Sequence, residues 1–207
     1  MVQYCITLNA KRIERMIKLR IATPNDGAAL ADIYRHYVTD TTVSFEYKAP
    51  STEEFSERIA HKLEKHPYIV AELDGKPIGY AYASDFRERA AYAWDTELSV
   101  YVSREMQHTG VGHMLYSALI RILKAQNFAN LYAWITNPNP ISESFHRSMG
   151  FEKICDIPAT GYKMGEWHNV SWYQMRIAGM DEPKPIVPFP ELDKDEVKRL
   201  INGTSNA

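Results

Sequence analysis

Gln107-His108-Thr109-Gly110-Val111-Gly112 sets two glycines between a run that reads as a strand and a run that reads as a helix. Upstream, Glu97-Leu98-Ser99-Val100-Tyr101-Val102 alternates and is rich in β-branched and aromatic residues; downstream, Leu115, Ala118, Leu119 and Ile122 fall at helical spacing. A glycine at such a corner reaches positive φ and leaves no Cβ in the way of a ligand approaching the backbone. The hexapeptide lacks the Lys-Ser/Thr pair of a P-loop and the spacing of G-x-G-x-x-G. Taken alone, it reads equally as a ligand cradle and as a plain turn.

The elements around the corner fix its context. Ile17-Lys18-Leu19-Arg20-Ile21 alternates as a strand, and Thr23-Pro24-Asn25-Asp26 starts a helix with Leu30, Ile33, Tyr34 and Tyr37 on one face. Ser51-Thr52-Glu53-Glu54 is a capping box for a second helix reaching about Lys65. Tyr68 to Leu73, the turn Asp74-Gly75 and Ile78 to Ser84 read as a hairpin, and a further strand runs from Trp94 to Val102. After the glycine corner come a helix, a strand at Leu131 to Ile135, a short helix at Ile141 to Met149, and strands at Phe151 to Ala159 and Trp167 to Arg176. The order is mixed α/β, with an antiparallel meander before the corner and helix-strand alternation after it.

Composition narrows the class. With 207 residues, 45% of them hydrophobic, the chain can bury one domain-sized core. A formal net charge of -2 supplies no global field for nucleic acid or an anionic membrane, so any anion site is local. Cys5 and Cys155, far apart in sequence, fit a reducing compartment, and no Cys-x-x-Cys or His-rich cluster points to a metal. No signal-peptide pattern and no long uncharged run is present, which leads to the expectation of a cytoplasmic protein without membrane or nucleic-acid partners. Residues 1–15 read as an extension before a second possible start at Met16, and residues 16–178 as the main domain. Residues 179–207 read as a Pro-rich and charged tail, either an extended linker with a short surface helix carrying Val197, Leu200 and Ile201 or a segment that docks on the body or on a partner.

The corner gains meaning from a second constellation, Asn139-Pro140-Ile141-Ser142, then Phe145-His146 and Met149-Gly150-Phe151. Together they resemble the GNAT superfamily of acetyl-CoA-dependent N-acetyltransferases, whose loop runs Gln/Arg-x-x-Gly-x-Gly/Ala and whose later motif runs Asn-x-x-Ser/Ala through to Gly-Phe. Within it, Asp40-Thr41-Thr42-Val43-Ser44-Phe45, Phe86-Arg87-Glu88-Arg89-Ala90-Ala91-Tyr92, Glu97 to Val102 and Gly161-Tyr162-Lys163-Met164-Gly165-Glu166-Trp167 resemble the phosphinothricin/methionine sulfoximine acetyltransferase group. The resemblance spans roughly residues 18 to 177. It implies the GNAT fold, a mixed, mostly antiparallel sheet of about six to seven strands flanked by helices.

It also implies a site. Gln107, His108, Thr109, Gly110, Val111, Gly112 and His113 would line the acetyl-CoA diphosphate, mostly through main chain at a helix N-terminus. His108 and Thr109 stand where the family often has Arg or Lys. Val100, Tyr101 and Val102 would pair with the pantetheine arm, and Asn139 and Ser142 would serve the cofactor, Asn139 reading equally as a helix cap.

Strand alternation places Glu97 with Ser99 and Tyr101, opposite Leu98, Val100 and Val102; a carboxylate in an apolar strand has its charged form disfavoured, which suits a general base, but a single Glu there reads first as an edge-strand surface acid, and it is the resemblance that implies the base. His146, seven residues after Asn139, is the candidate acid for the CoA thiolate or a satisfied helix residue. Arg87 and Arg89, which share a face if residues 86–90 are extended, read equally as candidates for an amino-acid carboxylate and as solvated loop charges, with Phe45 and Tyr92 as candidate apolar walls. The reading is acetylation of the α-amine of phosphinothricin, methionine sulfoximine or a related methionine derivative, by a homodimer as the resemblance implies. Acetylation of a peptide or protein N-terminus is the alternative enzyme reading, and a non-catalytic acetyl-CoA-binding module is the alternative of another class.

Overall fold

In the computed structural model, which describes residues 16–203, a seven-stranded sheet runs in the order β1-β2-β3-β4-β5-β7-β6. Its strands are β1 (Lys18–Ile21), β2 (Tyr68–Leu73), β3 (Lys76–Asp85), β4 (Asp95–Val102), β5 (Asn130–Asn137), β6 (Glu152–Lys163) and β7 (Glu166–Arg176). The helices among the described residues are α1 (Gly27–Thr39), α2 (Thr52–Leu63), α3 (Val111–Ala125), α4 (Pro140–Ser148) and α5 (Lys194–Asn202). This is the mixed, mostly antiparallel sheet expected from the sequence. The expected extension 1–15, with Cys5, lies outside the described residues.

Local chemistry sets the boundaries. The Ser51 side chain accepts from the Glu54 amide at 3.2 Å and caps α2. Asp74 and Gly75, at φ 52° and 76°, make the tight turn between β2 and β3. Proline 24 opens a short 3-10 turn, Pro24–Asp26, so α1 itself begins at Gly27, later than the proline suggests.

Alternation along the strands divides the core between two faces. Ile69, Ala71, Ala81, Ala83, Leu98 and Leu131 pack with α3, whereas Tyr68, Val70 and Tyr80 pack with Leu30, Tyr34, Phe55 and Ile59 from α1 and α2. Glu97, Ser99 and Tyr101 stand on the α1/α2 face, because their register partners Ser84, Tyr82 and Tyr80 do.

The sheet is split in its middle. β4 and β5 pair in parallel only at Asp95↔Asn130, Thr96↔Leu131 and Glu97↔Tyr132, while β4 stays paired with β3 as far as Val102 and β5 with β7 as far as Asn137. A wedge therefore opens between residues 98–102 and 133–137.

The C-terminal segment departs from the linker reading. The Val187 amide donates to Gln126 and the Phe189 amide to Lys65, each at 3.1 Å, while the Trp94 indole donates to the Lys184 carbonyl at 2.7 Å. These bonds replace the pairing that the prolines forbid. Asp193 caps α5, and Val197 and Ile201 enter the core that α3 builds, so the segment works as a strap with a buried anchor. Truncating that anchor, Ile201→Ala, is expected to lower unfolding free energy in urea by about 2–5 kcal/mol, the range for a buried Ile cut to Ala.

Candidate active site

The wedge leads into a cavity of about 480 Å³. β4 contributes Glu97 and residues 98–101, β5 contributes Ala133, Trp134 and Thr136, and the α1–α2 connection contributes residues 43–46. In an antiparallel ladder alternate residues bond to one neighbour only, so Leu98, Val100 and Val102 direct their peptide groups away from β3 and into the wedge. Two phenols occupy its ends. Tyr116 donates to the Leu98 carbonyl at 3.2 Å, and Tyr37 donates to the Val102 carbonyl at 2.6 Å while accepting from the Val102 amide at 3.3 Å. Between them the amide and carbonyl of Val100 face the opening, the backbone a linear amide-bearing ligand would pair with.

Beyond Val102, a 3-10 turn (Arg104–Met106) carries the chain to α3, whose N-cap Gly110 sits at φ 90°, with His108 also left-handed at φ 62°. The first intrahelical bond there is Met114 N–H to the Gly110 carbonyl, and no side chain caps the helix. The amides of Val111, Gly112 and His113 are thus uncommitted by the helix, and the dipole adds positive potential where they point. Gly112 serves packing as well: a Cβ on it would lie 3.3 Å from the Phe145 ring. Gln107 turns back to donate to the Tyr37 hydroxyl at 3.2 Å.

Glu97 is half-buried in the cavity wall and makes no hydrogen bond or ion pair among the described residues. Burial raises its pKa above the ordinary carboxylate value, and the Lys62 ammonium pulls it partly back. Phe45 lies against Gly161 and stacks on His168 at 6.2 Å, one wall of the same cavity. The loop holding it is pinned from behind, because the buried Lys163 donates to the carbonyls of Val38 and Ser44 and the Tyr47 hydroxyl donates to the Tyr162 carbonyl.

Other anticipated residues are placed differently. His146 lines the cavity but is buried, and burial pushes its pKa down to about 4. Its Nδ1 lies 2.8 Å from the Ser142 carbonyl and so carries the proton; Nε2, 3.1 Å from the Tyr116 hydroxyl, accepts. This neutral imidazole has no proton to give at the cavity, which departs from its reading as an acid for the thiolate. Asn139 is the cap of α4, its side chain accepting from the Ser142 amide at 3.1 Å. Arg87, Arg89 and Tyr92 are outside the cavity lining: residues 86–89 form a bent, irregular connection instead of an extended one, and both arginines are exposed. Tyr116, Tyr34, Tyr82 and Ser99 join the lining without having been singled out from the sequence; a lone tyrosine on the aliphatic stripe of α3 was the available signal for Tyr116. No group of His, Cys, Asp and Glu among the described residues is arranged to hold a metal ion, and no described helix is long and apolar enough to cross a membrane.

Residues 19–172 match the family described as Acetyltransferase (GNAT) domain. A phosphinothricin N-acetyltransferase of Streptomyces viridochromogenes is 34% identical over 178 residues, 86% of this chain and 97% of the relative. An L-methionine sulfoximine/L-methionine sulfone acetyltransferase of Salmonella typhimurium is 30% identical over 160 residues, covering 77% and 94% respectively. Among solved structures, a GNAT superfamily phosphinothricin acetyltransferase from Sinorhizobium meliloti in complex with AcCoA superposes with a TM-score of 0.78 at 34% identity, covering 85% of this chain and 97% of that one.

Two outcomes follow from this geometry. Gly110→Val forces a β-branched residue into a left-handed cap, and acetyl-CoA binding measured by calorimetry is expected to weaken about tenfold or more while the protein stays folded; undiminished affinity removes the corner from the cradle. For His146, the folded pKa of about 4 lies below the ordinary 6.5, so its stabilising effect is complete above about pH 6.5 and is lost as pH falls toward 4. That loss amounts to about 3 kcal/mol. The melting temperature of His146→Leu, which takes up no proton, is expected to depend less on pH across that window than the parent's.

Proposed function

Because the chain belongs to the GNAT acetyltransferase family, we propose that it transfers the acetyl group of acetyl-CoA to the α-amine of a small amino-acid-like acceptor, such as phosphinothricin, methionine sulfoximine or a related methionine derivative. The observation that carries the reading is Glu97: a lone, desolvated carboxylate at the point where β4 and β5 part, facing the cavity. A cavity of about 480 Å³ walled on one side by a pinned loop suits a small acceptor better than a protein N-terminus.

Acetyl-CoA supplies the activated acyl group, with its diphosphate assigned to the amides of residues 108–113 and its amide-bearing arm to Val100 and its neighbours. Glu97 takes a proton from the acceptor ammonium, directly or through a water, and frees the lone pair that attacks the thioester carbonyl; the C–N bond forms, the C–S bond breaks, and the CoA thiolate leaves with the proton that the attacking nitrogen sheds. A raised pKa improves it as a base near neutrality. The Tyr116 hydroxyl lines the cavity, and its single proton, shared at rest between the Leu98 carbonyl and His146 Nε2, is free to turn toward negative charge that develops there. Arg87 and Arg89 remain assigned to an anionic group of the acceptor at the cavity mouth, which they meet only if the connection of residues 86–89 closes over it.

We further assign the protein to the cytoplasm, as a homodimer. Cys155 is an exposed free thiol, suited to a reducing compartment, and Ile154, Tyr162 and Trp167 expose apolar surface on the β6–β7 hairpin that a second copy would cover.

Glu97→Gln keeps shape and removes the base. It is expected to bind acetyl-CoA normally and to lose about 10²- to 10⁴-fold in kcat/KM at neutral pH, with partial recovery as alkaline pH supplies neutral amine. Parental turnover across the pH range would take Glu97 out of the reaction.

A further inference from the structure

A recess of about 270 Å³ adjoins the Glu97 cavity and shares Tyr34 and Tyr82 with it. Phe55, Tyr68 and Tyr80 complete its aromatic wall, and Arg58 and Lys62 of α2 are its charged lining groups. The wall is ordered: the Tyr68 and Tyr82 rings stack with centroids 4.9 Å apart, and Tyr68 and Tyr80 stack at 5.7 Å.

The two cations differ in what they are free to do. Arg58 is committed, reaching Glu46 at 2.7 Å and Glu54 at 2.6 Å. Lys62, one turn further along α2 and half-buried, stands with its ammonium over the Tyr82 ring at 6.0 Å, and that ammonium makes no ion pair or hydrogen bond among the described residues. Asp85 and Glu97 reach it only through longer-range attraction. A partly desolvated ammonium without a counter-ion is costly, and the cost is relieved by an anion that enters the recess. The recess lies on the Glu97 face of the sheet, away from the glycine corner, so an acceptor with its ammonium at Glu97 would meet the Lys62 charge with its own negative group.

Resting on the acetyltransferase reading above, we propose that this recess binds an anionic group of the acceptor, with Lys62 as its counter-ion and the tyrosine rings as walls for the stem that carries it. Two groups share that chemistry: the α-carboxylate and a distal acid. Three acceptors separate them. L-phosphinothricin and L-methionine sulfone are near-isosteres, of which the methylphosphinate is charged and the methylsulfone is not, and 3-(methylsulfonyl)propylamine is the sulfone without its α-carboxylate.

The test measures kcat/KM for all three with the parent, Lys62→Met and Lys62→Arg, and uses Lys62→Gln where Lys62→Met lowers the melting temperature. If the recess holds the distal group, Lys62→Met costs phosphinothricin about tenfold or more beyond its cost to methionine sulfone, the scale of one lost charge-assisted hydrogen bond. If it holds the α-carboxylate, both acids fall together by about that factor and the decarboxylated amine falls by less. Lys62→Arg keeps the charge and should keep the parent's ranking. Equal changes for all three acceptors, or none, overturn the proposal while leaving acetyl transfer intact. A parent that acetylates none of them overturns the reading on which the recess rests.

Discussion

The three-residue parallel ladder between β4 and β5 is the constraint on which the site depends. A continued ladder would saturate the peptide groups of residues 98–102 and leave no opening; an absent one would detach the β5–β7–β6 half of the sheet. The tyrosines at the two ends of the wedge make the partial solution affordable. By bonding Leu98 and Val102 they satisfy edge groups that a closed sheet would otherwise claim, so the split costs little and the intervening peptide stays available.

Both faces of β4 are then used for different ends. Leu98 is buried with α3, and that packing fixes the strand, while Glu97 and Tyr101 on the reverse side meet α1, α2 and their connection. The connection is held by an unusual clamp, a buried lysine whose ammonium is satisfied by carbonyl oxygens instead of a carboxylate. Carbonyl dipoles are weaker partners than an ion, and the nearby Glu46 carboxylate, itself paired with Arg58, reaches Lys163 only through longer-range attraction.

Much of this was legible in the residues themselves. The alternation of Glu97 to Val102 gave the correct face for Glu97, and the Gly110–Gly112 corner gave the uncapped start of α3. What escaped depended on contacts between distant segments. The sequence offers no sign that His146 is buried against Tyr116, because one histidine on a short helix reads alike whether it faces water or core. Arg87 and Arg89 were read as extended, and the irregular connection that follows β3 turns them to solvent. The strap at residues 184–189 was equally hidden, since its bonds go to Trp94, Gln126 and Lys65 and leave no periodic trace.

The short ladder also makes β4 a measuring rod. Five residue steps, at about 3.3 Å each, separate Glu97 from Val102, so the separation between the Glu97 carboxylate and the far end of the wedge is counted out in backbone units, independently of any side chain. Lengthening the strand by one residue would reverse which side chains face α1 and α2, and lengthening it by two would restore the faces but displace Glu97 by roughly 7 Å. Substitutions along residues 98–102 can therefore be absorbed by repacking, whereas insertions and deletions there have no neutral size.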